Sequence, residues 1–259
     1  MRPLFTEFSY GFGLASEIAE LARSGLMSAP ILPSLVDESQ LGWDINFRFL
    51  GMSLFLQFKL GDFLTRRTAV QWSLYGHPYF RFEVYRRSHS PQHNLLVRLG
   101  KREPFTFYAA PIFHTDAEFN HHFLSRSLVG STLFVPARLL PPLVDDLQHH
   151  ISYDQTQTVW FTTQPVRIQG ATRASSTLDT IVSNLTRTRG HGVIEFDLSK
   201  LRNLLRFLLE LMDRDADVSL NRFLPSPPNT DSPSEIVRSI RLILRSVFGV
   251  EWIVVGRSV

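Results

Sequence analysis

Three side chains in one short stretch have the types that phosphodiester chemistry uses: Asp44, Gln57 and Lys59. An acidic oxygen and an amide oxygen held close together suit a hard cation such as Mg²⁺ or Mn²⁺, which takes oxygen ligands. A lysine beside them orients a water, or stabilises the negative charge that builds when a phosphodiester is attacked. Lys59 is one of only three lysines among 27 basic residues. The competing reading is a half-exposed sheet face carrying routine polar residues.

The elements that must position these groups read as a β-hairpin. Trp43–Phe49 and Ser53–Leu60 alternate apolar and polar residues, with Leu50-Gly51-Met52 between them. Alternation puts Leu54, Leu56, Phe58 and Leu60 on one face and Ser53, Phe55, Gln57 and Lys59 on the other. A two-residue turn at Leu50-Gly51 sets Asp44 opposite Gln57, and a four-residue turn sets it opposite Lys59. Either register gathers Asp44, Gln57 and Lys59 on one face.

A helix containing glutamate, followed by a hairpin with Asp44 and Gln57-Phe58-Lys59, resembles the PD-(D/E)xK nuclease superfamily. The resemblance is closest to its QxK branch and covers residues 5–113. It implies a restriction-endonuclease-like fold, a mixed central α/β (or α+β) sheet flanked by helices. It also implies an Mg²⁺-dependent nuclease acting on nucleic acid, DNA first, with a place in restriction or antiviral defence. Carried over residue by residue, Asp44 and Gln57 are metal ligands and Lys59 assists the attacking water. Glu17 is the first-helix glutamate, with Glu7 and Glu20 as alternatives. Gly42-Trp43 stands where the motif has proline before the aspartate, and Gln57 is neutral.

Charge placement points the same way. Residues 61–110 hold eight basic side chains against three acidic ones, whereas 111–180 hold four against six. Arg66, Arg67, Arg86 and Arg87 are candidate phosphate contacts. Gln92 and His93, in the first turn of a helix, are candidates for the same role.

Along the chain, 5–24 reads as a helix, 62–73 as a second, and Tyr79–Arg87 as a strand. Ser90-Pro91 opens a helix that Gly100 ends, and Phe105–Phe113 is a buried strand. Thr115-Asp116-Ala117-Glu118 is a capping box, and its helix runs to about Leu128. Strands follow near Thr132–Val135, His150–Tyr153 and Thr158–Thr163. We expect a core over 1–168, a linker at 169–177, and a mostly helical region over 178–259. That region comprises helices at Leu178–Thr188, Leu198–Met212 and Pro233–Phe248 and a last strand, Glu251–Val255. The leucine stripe from Leu201 to Met212 reads as core, or as the contact for a protein partner or second copy.

The 259 residues contain no cysteine, which excludes disulfides, thiol nucleophiles and cysteine-ligated metals. P-loop, nucleophile-elbow and zincin motifs are missing. Neither a signal peptide nor a membrane-length apolar run is read, so a soluble, cytoplasmic protein is expected. The pairs His121-His122 and His149-His150 read as ordinary histidines. Their competing use, with His114 or Asp154, is a metal site. A non-catalytic nucleic-acid-binding or assembly subunit is the other functional reading.

Overall fold

A computed structural model describes residues 1–21, 49–163, 165–169, 172–173, 195–196, 198–214, 232–244 and 251–257. The elements are α1 (Glu7–Leu21), β1 (Phe49–Phe58), β2 (Asp62–Leu64), α2 (Trp72–Tyr75), β3 (Tyr79–Val84), α3 (Gln92–Arg102), β4 (Thr106–Pro111), α4 (Asp116–Leu124) and β5 (Thr132–Pro136). There follow β6 (His149–Tyr153), β7 (Val159–Thr162), β8 (Val166–Ile168), β9 (Thr172–Arg173), β10 (Glu195–Phe196), α5 (Leu198–Arg214), α6 (Pro233–Ile243) and β11 (Glu251–Arg257). The chain is therefore mixed α/β with two sheets. Among the described residues no helix is long and apolar enough to cross a membrane.

One sheet is mixed, in the order β10-β1-β4-β5-β9, with β11 also on β1. The other is antiparallel, in the order β2-β3-β6-β7-β8, with β3 and β6 neighbours although β4 and β5 of the first sheet lie between them in the chain. β1 and β4 run parallel, Phe55 to Phe58 against Thr106 to Ala109, with α3 in the connection between them.

The hairpin expectation is corrected here. Leu50, Gly51 and Met52 do not turn; they continue β1 and pair with Arg257, Gly256 and Val255 of β11. Leu50 pairs with both β10 and β11, and Phe55 with both β4 and β11, so both edges of β1 are taken. A strand has only two edges, and at Leu50 and Phe55 both are occupied. Asp44 itself lies outside the described residues, as do 43–48 and the helix expected at 178–188.

The alternation within β1 holds. Leu54 and Leu56 pack with Tyr10, Leu14 and Ile18 of α1 and with Phe107, Ala109 and Phe134. Phe55, Tyr108, Leu133 and Val135 face the opposite side, against α3, α5, α6 and the second sheet. Covering on both faces is why β4 reads as a nearly unbroken apolar run.

The expected partition at 169–177 does not separate two cores. Thr172–Arg173 pairs with β5, β11 lies in the same sheet as β4, and α5 and α6 bury their apolar sides in the cluster that holds Phe55. The stripe Leu201, Leu204, Leu205, Leu208, Leu211 and Met212 is buried there, packed inside this chain.

Two helix expectations also change. The helix expected at 62–73 is a strand followed by turns and the short α2, because Asp62–Leu64 pairs with Tyr79–Arg81. α3 continues through Gly100 to Arg102. Gly100 faces the turn at Ala137–Leu139, and a Cβ there would lie 2.8 Å from the Arg138 backbone nitrogen. Glycine at this position permits close packing; it does not end the helix. The capping box forms as expected: Thr115 Oγ1 accepts from the Glu118 amide at 3.2 Å, and Glu118 Oε2 accepts from the Thr115 amide at 2.9 Å.

Candidate functional site

Where β1 ends, the Lys59 amide donates to the Ala109 carbonyl at 3.0 Å, keeping the chain beside β4 for one more residue. β1 ends at Phe58, so Gln57 and Lys59 flank the carboxyl end of a parallel strand pair, Gln57 turned to α3 and Lys59 to α1. In open α/β sheets ligands gather at that end. The N-terminus of α3 reaches this end too, because Gln57 Nε2 donates to Gln92 Oε1 at 3.0 Å. Gln57 is only 2% exposed.

The Lys59 side chain keeps its stem covered and brings Nζ to 3.6 Å from Glu7 Oε1 and 5.4 Å from the centre of the Tyr85 ring. Side-chain exposure is 16% for Lys59 and 47% for Glu7, so one side of the pair is open to water. The ammonium is thus held between a carboxylate and an aromatic face. These are orienting contacts at the rim of the strand end.

The three glutamates of α1 have different tasks. Glu7 meets Lys59. Glu20 Oε2 pairs with Arg126 Nη1 at 3.0 Å on the surface. Glu17, 4% exposed, accepts from the backbone amides of Leu128 and Val129 at 2.8 and 3.2 Å. Desolvation raises the Glu17 pKa above the ordinary carboxylate value, and the two amides oppose that rise only in part. Ten residues separate Glu7 from Glu17, about 15 Å along a helix axis. The structure therefore does not bring Glu17 to Gln57 and Lys59; its carboxylate ties α1 to the turn before β5. The first-helix glutamate beside Lys59 is Glu7, which the resemblance offered only as an alternative.

His93 is also corrected. It is 2% exposed and stacked between Tyr108 and Phe161. Nε2 lies 2.9 Å from the Pro141 carbonyl, which only accepts, so Nε2 carries the hydrogen. Nδ1 then accepts from the Tyr108 hydroxyl at 3.0 Å. Burial lowers the His93 pKa to about 4, so it is a neutral core residue, closed to a phosphate. Gln92, one residue earlier, stays at the site as the partner of Gln57.

Arg66, Arg67, Arg86 and Arg87 are all exposed. Arg86 Nε donates to Gln148 Oε1 at 3.2 Å, which fixes it next to Tyr85 and His89. Tyr85 is the residue the sequence reading missed as a site member. It stands 26 positions from Lys59, just past the end of β3 in the other sheet, and no periodicity links the two.

For a cation, the oxygen donor shown beside Lys59 is the Glu7 carboxylate, with the Gln57 amide two residues earlier in the chain. Both suit a hard divalent ion in type. Among the described residues no group of three or more histidines, aspartates or glutamates is placed to hold a metal. That includes the histidine pairs: His122 Nδ1 bonds Ser127 and Ser131, and His149 bonds Asp145 and Thr163. Comparison of the chain with protein-family models, curated proteins and solved structures returns no match.

Proposed function

We propose that this protein is a metal-dependent nuclease that cleaves phosphodiester bonds in nucleic acid, DNA first. The observation that carries the reading is the Glu7–Lys59 pair just past the carboxyl end of β1, two residues after buried Gln57. Arginines 66, 67, 86 and 87 are exposed, and Arg86 lines a hollow with Tyr85, whose ring lies 5.4 Å from the Lys59 ammonium. In this reading Glu7, Gln57 and Asp44 hold Mg²⁺ or Mn²⁺, which supplies Lewis acidity at the phosphate. Lys59 orients a water and stabilises charge on the phosphoryl oxygens, while Glu7 and Tyr85 fix the ammonium in place. The arginines bind flanking phosphates without reading sequence.

The neutral, buried Gln57, bonded to Gln92, favours a second reading: a nucleic-acid-binding subunit without hydrolysis. One experiment separates the two. Single- and double-stranded DNA and RNA are incubated with the protein and Mg²⁺ or Mn²⁺, alongside Asp44→Ala and Lys59→Ala. The nuclease reading expects cleavage that either substitution reduces by about 10²-fold or more, the usual loss when one stabilising group is removed. Cleavage that survives both refutes the site. Binding without cleavage by the unaltered protein supports the second reading.

A further inference from the structure

Beside Lys59 lies a hollow of about 230 Å³ lined by Glu83, Tyr85, Arg86, His89 and Gln148. It is smaller than the roughly 300–1,000 Å³ that drug-sized ligands fill. We propose that it takes one unstacked nucleobase, so that the preferred substrate is a single-stranded or locally opened nucleic acid. The proposal rests on the nuclease reading for the phosphate assigned to Lys59, and on the hollow itself for the base.

The walls are aromatic and accessible. Tyr85 is 43% exposed, and the His89 ring stands 5.1 Å from it at an interplanar angle of 50°. Rings tilted in this way are not stacked on each other, and the base is assigned the Tyr85 face that the Lys59 ammonium does not occupy. The frame is rigid. Tyr85 directly follows β3, and the turn carrying His89 is closed by the His89 and Ser90 amides donating to the Arg86 carbonyl at 3.0 and 2.9 Å. Asp146 pins the same turn by accepting from the Ser88 amide and hydroxyl at 3.0 and 2.7 Å. Gln148 Nε2 donates to the carbonyls of Val84 and His149, so the floor is set as well.

Charge decides between a base and a phosphate. Glu83 and Arg86 both line the hollow, so its charge is balanced, and the carboxylate repels a phosphate. A flat, uncharged base with donors and acceptors on its edge fits both, the carboxylate accepting from an amino group and the guanidinium donating to a ring nitrogen or carbonyl. Lys59 Nζ, 5.4 Å from the centre of the Tyr85 ring, sets the phosphate position about one nucleotide away from this base position. A base inside an intact duplex is stacked on both faces and cannot enter.

The test measures binding by fluorescence anisotropy in EDTA, where hydrolysis is off. The probes are short DNA and RNA single strands, the matching DNA duplex, and DNA single strands made abasic throughout the bound segment. We expect tighter binding of intact single strands than of the duplex or the abasic strand. Tyr85→Ala should weaken intact single-strand binding about five- to one-hundred-fold, the usual worth of one base–aromatic stack, and weaken abasic binding by a smaller factor, the part owed to the Lys59 ammonium that Tyr85 also holds. Tyr85→Phe should restore it. Equal wild-type binding of abasic and intact strands, or an equal loss on both in Tyr85→Ala, overturns the proposal. Base-dependent binding without Mg²⁺-dependent cleavage removes the nuclease reading and leaves this one standing; cleavage with base-independent binding does the reverse.

Discussion

Replacing Glu17 and Glu7 by alanine, one at a time, separates a structural carboxylate from a functional one on the same helix. Glu17 is 4% exposed and satisfies two backbone amides, those of Leu128 and Val129. Glu17→Ala strands both N–H groups in the core, at about 1–3 kcal/mol each, so the expected loss is about 2–6 kcal/mol. For a chain of this size each kcal/mol moves Tm by about 2–4 °C, which places the fall at about 4–24 °C. Glu7, half exposed, is paired with Lys59 at 3.6 Å, an ion pair of the kind worth about 0–1 kcal/mol. Its substitution should leave Tm within about 2–4 °C of wild type while removing nuclease activity. Thermal unfolding followed by circular dichroism, with cleavage assayed on the same preparations, gives both numbers. The reasoning fails if Glu17→Ala leaves Tm unchanged, or if Glu7→Ala unfolds the chain as severely as Glu17→Ala does. The Glu17 pKa adds a sign. It is raised on folding, so the folded state binds the proton more tightly, and the gain is complete below the ordinary glutamate pKa. Wild type should therefore lose stability relative to Glu17→Gln as pH rises through the raised value.

Three further outcomes are expected. His93 is depressed on folding to about 4, so between that value and the ordinary 6.5 the unfolded chain binds more protons. Lowering pH from 6.5 to 5 should cost about 2 kcal/mol in urea unfolding, and His93→Gln should remove that slope. Gly100→Ala should destabilise by about 1–3 kcal/mol, because its Cβ would lie 2.8 Å from the Arg138 backbone nitrogen and overpack that contact, outweighing the better helix propensity; a stabilised variant would show that α3 can shift. Arg66→Ala and Arg67→Ala should each lower the slope of log affinity against log salt by about 1, at an equal loss for all DNA sequences. A sequence-dependent loss would assign them to base contacts instead.

Much of the element order was legible because it depends on neighbours within about ten residues. The capping box at Thr115–Glu118, the strands from Tyr79 and Thr132, and the alternation of Leu54 and Leu56 against Phe55 and Gln57 are local patterns, and each recurs in the fold. The turn at Leu50-Gly51 misled for the opposite reason. A glycine between two alternating runs looks like a hairpin, yet β11, some 200 residues later, pairs with Leu50 through Leu56 and holds them extended. Gly100 misled likewise, since a close approach by another segment, the turn at Ala137–Leu139, requires it.

The same division runs through the candidate site. Sequence alone placed Gln57 on the Phe55 side of a strand, and determined that the chain has no cysteine chemistry and that basic residues concentrate in 61–110. These follow from backbone periodicity and composition, which act one residue at a time. Tertiary structure alone decided that Glu7 and not Glu17 meets Lys59, that Gln92 bonds Gln57, that His93 is core, and that Tyr85 stands beside the lysine. Those pairings join α1, α3 and β3 to the end of β1. They depend on how helices dock and strands order, which is a long-range packing outcome that no local spacing encodes.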